Sequence, residues 1–269
     1  MLIDSFEAAM ALSVIAQRAG SEIMAMKNNA SPKQKEDGSP VTLADLKSNE
    51  IIINAISEIW ADVPIVSEEG SVGDPMTSVH CFLVDPLDGT KEYLKENGMY
   101  TVNIALMSRQ NDNRWVPILG VVHAPEITST WIGGKEFTAV RQDEFGFNEI
   151  RVNRNSRPPI ILGSISHPSV LDLSFAEDLG LHEFIPMGSS LKICRVADGF
   201  ADLSPRFGPT SCWDTAAAHA VLNSAGGNLM SPEGLELTYD VVDNLLNPWF
   251  IATSSDRWIG LWLKYQKTQ

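Results

Sequence analysis

His80-Cys81-Phe82-Leu83-Val84-Asp85-Pro86-Leu87-Asp88-Gly89-Thr90 runs from an apolar strand directly into two carboxylates, a tight turn and a hydroxyl. The residues ahead of Asp85 read as a buried strand, so Asp85 emerges at its carboxyl end, where open α/β sheets place their ligands. Pro86 fixes one backbone dihedral and Gly89 permits another. The chain folds back there, so that Asp85 and Asp88 converge while the Leu87 carbonyl turns inward. An oxygen-only set of this kind suits a hard divalent cation. A bare Pro-x-Asp-Gly would be only a polar turn after a strand. Taken together, the six residues from Asp85 to Thr90 point to metal-dependent phosphoryl chemistry, for which the rest of the chain has to supply further acids.

At 269 residues the chain is long enough for one large domain or two closely packed lobes, and 44% hydrophobic residues make it globular. Twenty basic against 34 acidic residues, a net charge of -14, disfavour sequence-independent binding to nucleic acid or to an anionic membrane. A phosphorylated substrate remains compatible with that charge if cations stand between it and the carboxylates. Cys81, Cys194 and Cys212 cannot all pair within the chain and form no Cys-x-x-Cys, which is simplest in a reduced cytoplasmic setting. Peripheral association with an inner membrane is left open. Residues 1–30 read as an amphipathic helix and not a signal peptide, and no run of about 18 apolar residues suggests a membrane span.

The first helix is expected to start at a capping pair, Asp4 with Glu7, and to carry an apolar stripe through Met10, Val14 and Ala19 to about Met26. Residues 28–40 are polar and read as a loop. It either closes over a site, bringing a lysine from the Lys33–Gly38 segment, or is an ordinary surface loop. Thr42 caps a second helix with Ile52, Ile56, Ile59 and Trp60 on its apolar side, and a short strand 64–67 delivers Glu68 and Glu69. Strands follow at 101–107, 115–123 and 128–132, the last ending in a Gly133-Gly134 turn. From about Arg157 the pattern is strand 160–165, helix 171–179 and strand 184–187. Ser190 then caps a helix to Asp198, and Trp213-Asp214-Thr215 opens an alanine-rich helix ending at Gly226-Gly227. The fold class is α/β, built of α+β lobes. The lobes are expected to divide near 141–157, as an N-terminal lobe 1–150 with most of the metal ligands and a C-terminal lobe 151–269 with Asp214.

Asp45, Glu68, Asp85 with Asp88, and Asp214 each stand at an element junction, the recurrence that a composite metal site requires. Taken singly, each has an ordinary structural role. Asp45 completes a capping box with Thr42, Asp214 suits a helix start, and Glu68 with Glu69 makes a solvated strand end. His219 and the cysteines read as structural.

Four motifs in order carry a family resemblance: Pro40-Val41-Thr42 through Asp45, Val66-Ser67-Glu68-Glu69, Asp85 through Thr90, and Trp213-Asp214-Thr215-Ala216-Ala217. On these the chain resembles the inositol monophosphatase superfamily, over nearly its whole length. Thr90-Lys91-Glu92-Tyr93, Gly188-Ser189-Ser190-Leu191-Lys192 and Arg206-Phe207-Gly208-Pro209-Thr210 resemble its CysQ-type branch of 3′(2′),5′-bisphosphate nucleotidases. Departures are Tyr93, where Phe is more usual, and Ser211-Cys212 before the tryptophan. The resemblance implies a five-layer αβαβα sandwich. It also implies two magnesium ions per site, with a third, weaker one left open, held by Glu68, Asp85, the Leu87 carbonyl, Asp88 and Asp214.

The implied reaction is attack of a water on phosphorus, in line with the ester oxygen, with Thr90 and Asp45 orienting the water and accepting its proton and Glu68 counted with them as catalytic. The implied substrate is a small bisphosphate nucleotide, 3′-phosphoadenosine 5′-phosphate. Backbone groups from Leu87 through Thr90, together with Asp88 and Asp214, would lie against the reacting phosphate. Lys192 and Arg206, with His167 and Ser189 beside them, would meet the second phosphate. The rivals are an inositol or sugar-phosphate phosphatase of the same superfamily and, from another class, a non-catalytic nucleotide or metal sensor.

Overall fold

The computed structural model describes residues 2–27, 32–35, 40–154, 158–166 and 169–266. Helices α1 (Phe6–Met26) and α2 (Leu43–Ile59) pack together over one face of a seven-stranded sheet. Its strands are β3 (Ile65–Ser67), β4 (His80–Asp88), β5 (Thr101–Arg109), β6 (Trp115–Ala124), β7 (Ser129–Gly134), β8 (Phe137–Asp143) and β9 (Gly146–Glu149), paired in chain order. Only the first pair, β3 with β4, is parallel; every later neighbour is antiparallel. Two-residue strands β1 (Lys33–Gln34) and β2 (Pro40–Val41) pair apart from it. Helix α3 (Thr90–Leu94) leaves the end of β4.

A second sheet of five strands takes the order β11-β10-β12-β14-β13, with β10 (Ile160–Ser164) parallel to β11 (Glu183–Met187) and β12 (Leu203–Arg206). Its other members are β13 (Asn228–Met230) and β14 (Phe250–Thr253). Helices α5 (Leu191–Ala197) and α6 (Cys212–Ser224) lie between the two sheets, and α4 (Val170–Asp178) and α7 (Ile259–Gln266) cover the far side of the second. Helix, sheet, helix, sheet and helix therefore succeed one another, as the expected sandwich requires. No described helix is long and apolar enough to cross a membrane.

Alternation along β5 explains why the first sheet is buried on both faces. Val102, Ile104 and Leu106 join the core under α1 and α2, while Ala105 and Met107 face α6. Helix α6 approaches so closely that a Cβ on Gly120 would run into the Ala217 backbone, and one on Gly133 would lie 2.5 Å from Val221 Cα. This corrects the expected Gly133-Gly134 turn. Both glycines are strand residues, Gly133 making room for α6 and Gly134 for the Phe137 ring, and the turn falls at Lys135 and Glu136.

Three further local readings change. Helix α1 is capped by Ser5, whose hydroxyl accepts from Ala8 N at 3.2 Å, and not by Asp4. Val14 and Ile59, placed on apolar stripes by their spacing, are 54% and 45% exposed because each lies just off the sheet-facing side. Ser190 stands at the start of α5, but its hydroxyl serves Asn103 and Thr101 and makes no helix cap.

Candidate active site

Strand β4 creates the site by a β-bulge. Asp85 pairs with Asn103 and Asp88 with Thr101, so the step of three residues on β4 faces a step of two on β5. Regular alternation would send residues three apart to opposite faces. The extra residue puts both carboxylates on the face toward α5 and α6, while Leu87 drops into the opposite core. Ser48 of α2 donates to the Pro86 carbonyl at 2.6 Å and Leu87 N donates to Asp85 Oδ1 at 3.0 Å, which holds the turn.

Two further acids, Asp214 and Asp45, arrive from helix starts, each with one oxygen committed to the cap. Asp214 Oδ2 accepts from Ser211 N at 2.8 Å, completing the first turn of α6. Asp85, Asp88 and Asp214 each bring one oxygen within 4.8 Å of the others. Asp45 Oδ2 accepts from Thr42 N at 2.8 Å and from Thr42 Oγ1 at 2.6 Å, while its Oδ1 accepts from Thr90 Oγ1 at 3.0 Å. The capping explanation for Asp45 and Asp214 is thus correct and still leaves one oxygen of each for chemistry. Thr90 opens α3 behind Gly89, whose φ of +91° is the left-handed conformation that glycine permits.

Electrostatics mark the cluster as a cation seat. Burial, followed by repulsion from Glu68, Asp88 and Asp214, pushes the Asp85 carboxyl well above the ordinary carboxylate range. Burial raises Asp88 and Asp214 as well. No ion pair reaches any of the three among the described residues. Closely spaced carboxylates, Asp85 buried and Asp88 and Asp214 half-buried, with no cationic partner in contact form the donor set that a hard divalent ion fits. Glu68 lines the same cavity outside that tight group, with Oε1 2.6 Å from Lys35 Nζ. The same ammonium lies 2.5 Å from Glu69 Oε1. Of the loop lysines, then, Lys35 lies against Glu68 and Glu69, and residues 36–39 lie outside the described residues.

One cavity of about 260 Å³ is lined by Glu68, Asp85, Leu87 to Thr90 and Asp214 and also by Ser189, Lys192 and Arg206. Lys192 Nζ is held by the Ser189 carbonyl at 2.7 Å, and burial draws its pKa down to about 8. Arg206 Nη2 donates to the Pro209 carbonyl at 2.9 Å. Ser189 takes a φ of +48°, unusual for a non-glycine residue, and the kink aims Ser190 N at Asp88 Oδ2 at 2.6 Å. His167 lies outside the described residues.

Sequence reasoning missed several supports. Asn103 donates to Asp88 Oδ2 at 3.3 Å and accepts from Ser190 Oγ at 2.8 Å. A signal was present, since Thr101 and Asn103 are polar on the strand face that Ala105 and Met107 continue as apolar. Glu92, buried in the cavity wall, accepts from Ser166 Oγ. Tyr93 points away, its hydroxyl donating to the Ile23 carbonyl at 3.2 Å, so this departure from the usual Phe lies in the α1 packing and not in the cavity.

A model of the Inositol monophosphatase family matches residues 4–256. The chain belongs to the inositol monophosphatase family. Among its relatives is the 3′(2′),5′-bisphosphate nucleotidase CysQ of Escherichia coli strain K12, 40% identical over 241 residues, 88% of this chain and 95% of that one. The protein of the same name from Buchnera aphidicola is 36% identical over 247 residues, 89% of this chain and 91% of that one. Among solved structures, CysQ from Bacteroides thetaiotaomicron superposes with a TM-score of 0.79 at 33% identity, covering 93% of this chain and 98% of that one. An inositol monophosphatase from Anabaena shares the fold at a TM-score of 0.77 and 20% identity, over 97% and 96% of the two chains. The family's fold and the bulged acidic turn therefore occur together here.

Proposed function

We propose that this protein hydrolyses the 3′-phosphate of 3′-phosphoadenosine 5′-phosphate, releasing AMP and inorganic phosphate. The observation that carries this reading is one cavity lined both by the acids Asp85, Asp88 and Asp214 and by the cations Lys192 and Arg206. A substrate with one phosphate for the acids and their cations and another for Lys192 and Arg206 fits such a lining. The extent of similarity to CysQ proteins supports the same substrate class.

Magnesium is the proposed cofactor, two ions or more per site, held by Glu68, Asp85, the Leu87 carbonyl, Asp88 and Asp214. When bound, it would supply charge neutralisation for the phosphoryl oxygens and acidity for the attacking water. The chain's own residues supply the rest. Thr90 Oγ1, fixed by Asp45, orients the water, and Asp45 takes its proton; burial raises the Asp45 carboxyl, making it a stronger base than an exposed aspartate. The N–H groups at the start of α3 lie where phosphate oxygens would bind. Lys192 and Arg206 hold the 5′-phosphate, with Ser189 beside them. An intact Thr90–Asp45 pair argues against a sensor that has lost its chemistry.

A cytoplasmic setting, lithium sensitivity, a role in sulfur assimilation and a division of the chain into two lobes near residue 150 belong to the same proposal. Phosphate release from 3′-phosphoadenosine 5′-phosphate, inositol 1-phosphate and fructose 1,6-bisphosphate, with magnesium titrated from zero and repeated with lithium and calcium, tests it. The nucleotide should be the preferred substrate, and turnover should require the divalent ion. Turnover in its absence, or preference for inositol 1-phosphate, would overturn the reading.

A further inference from the structure

One peptide group joins an acid of the cavity to one of its cations. The Ser189 carbonyl accepts from Lys192 Nζ at 2.7 Å, and the N–H across the same peptide bond, that of Ser190, donates to Asp88 Oδ2 at 2.6 Å. An ammonium lies at the negative end of the amide dipole and a carboxylate at its positive end, so each favours the orientation that the other requires. Ser189 holds this arrangement at a φ of +48°, a region that serine enters at a cost. Behind the peptide, buried side chains close a ring through Asp88. A carboxylate only accepts, so Asn103 turns Nδ2 to Asp88 Oδ2 at 3.3 Å and its Oδ1 accepts from Ser190 Oγ at 2.8 Å. That commits the single hydroxyl proton of Ser190, and Thr101 Oγ1, 2.8 Å away, becomes the donor to Ser190 Oγ. The hydrogen bonds that Asp88 accepts among the described residues all fall on Oδ2, which leaves Oδ1 for a cation.

Turning this peptide would break both bonds at once, so the hold on Asp88 and the hold on Lys192 are kept or lost together. We propose that Thr101, Asn103 and Ser190 are positioning residues that set the 189–190 peptide in the one orientation serving both sites, before either ligand arrives. Ser190 N then fixes Asp88 for a cation, and the Ser189 carbonyl fixes Lys192 for an anion. Because the buried ring sets the orientation in advance, neither ligand has to impose it. A chain lacking the ring would populate that orientation only in part. Both sites would weaken by that fraction, until the first ligand to bind restored the orientation for the second. This inference rests on the proposed roles of Asp88 toward a divalent ion and of Lys192 toward the 5′-phosphate, and adds the groups that prepare the two together.

Calorimetric titration of magnesium and of AMP, each alone and with the other saturating, tests it. Ser190→Ala removes the hydroxyl of the ring and keeps the N–H that reaches Asp88. It should weaken magnesium and AMP, each titrated alone, by a common factor of about five- to tenfold. The factor by which one ligand tightens the other should exceed that of the parent protein by the same amount, so that either ligand measured beside the other binds almost normally. A support for Asp88 alone would weaken magnesium and leave AMP unchanged, and general damage to the cavity would weaken each ligand whether or not the other was present. Either result, or unchanged affinities for both, would overturn the inference. Thr101→Val, close in shape and without the donor to Ser190 Oγ, must show the same pattern and serves alone if Ser190→Ala does not fold; the double variant should be no weaker than the weaker single one. If the unaltered protein turns over the nucleotide without a divalent ion, the functional reading fails and takes this inference with it. Magnesium-dependent turnover beside normal affinities in both variants sinks the inference only.

Discussion

Thr90 Oγ1 donates to Asp45 Oδ1 at 3.0 Å, joining residues 45 apart in sequence. Because the other oxygen of Asp45 is fully engaged by Thr42, the carboxylate cannot rotate, and Thr90 is held by a rigid partner. Asp45→Asn should therefore leave the helix start and divalent-ion binding nearly intact while lowering turnover by about 100-fold or more. Steady-state kinetics beside calorimetric ion titration would check this, and near-normal turnover would remove Asp45 from the mechanism.

Arg206→Ala should raise KM for the bisphosphate nucleotide by roughly 10- to 100-fold, the usual worth of a charge-assisted hydrogen bond. For a simple monophosphate the change should be small. Equal effects on both substrates would show that Arg206 stabilises the cavity without contacting the second phosphate.

Asp85 is buried against three other acids, so the ion-free protein carries repulsion that a bound cation relieves. Asp85→Asn should leave the ion-free protein as stable as the parent or more so, and should abolish both activity and the rise in Tm on adding magnesium. Thermal scans with magnesium and with a chelator read both effects, and an undiminished magnesium-dependent rise in the variant would exclude Asp85 as a ligand.

His123 is 5% exposed, with Nδ1 2.9 Å from Thr130 Oγ1, and burial draws its pKa down to about 4. Between that value and the ordinary 6.5, the unfolded chain holds a proton that the folded chain does not. Stability consequently rises with pH through this window and is lost as pH falls through it, by about 3 kcal/mol at most. His123→Gln should flatten the slope of unfolding free energy against pH between about 4 and 6.5; an unchanged slope would assign it to other groups.

Gly120→Ala should destabilise the fold by about 2–4 kcal/mol, since the added methyl meets the backbone of α6 and not a side chain that can swing aside. Denaturant titration measures it, and a loss below about 0.5 kcal/mol would mean that α6 can back away from the sheet.

Much of this was legible from residue order alone, because local chemistry decides it. The apolar run into Asp85, the Thr42 cap and the alanine-rich helix after Trp213 all take the form their sequence predicts. What failed was information held by distant neighbours. Gly133 and Gly134 look like a turn until α6 is laid against the first and the Phe137 ring against the second, and Ser190 looks like a cap until Asn103 is placed opposite. Exposure of Val14 and Ile59 depends on the exact direction in which a helix meets the sheet. Lys35 on Glu68 and Glu69 joins segments 33 or more residues apart, and no spacing rule announces such contacts. The candidate acids were recognisable as a set only because four motifs occurred in order. Individually, their roles as helix caps were both true and incomplete.

The bulge between Asp85 and Asp88 makes the length of that turn as strict a requirement as its side chains. A strand shortened there by a single residue would keep every acid, every hydrophobic contact on its amino-terminal side and most of its hydrogen bonds. Yet one carboxylate would then face the oily layer under α1 and α2, and the other would be left alone. Insertion and deletion scanning through 85–88 should therefore be as damaging as replacing the aspartates themselves, and a chain that has lost this one-residue offset would be a folded relative without a catalyst.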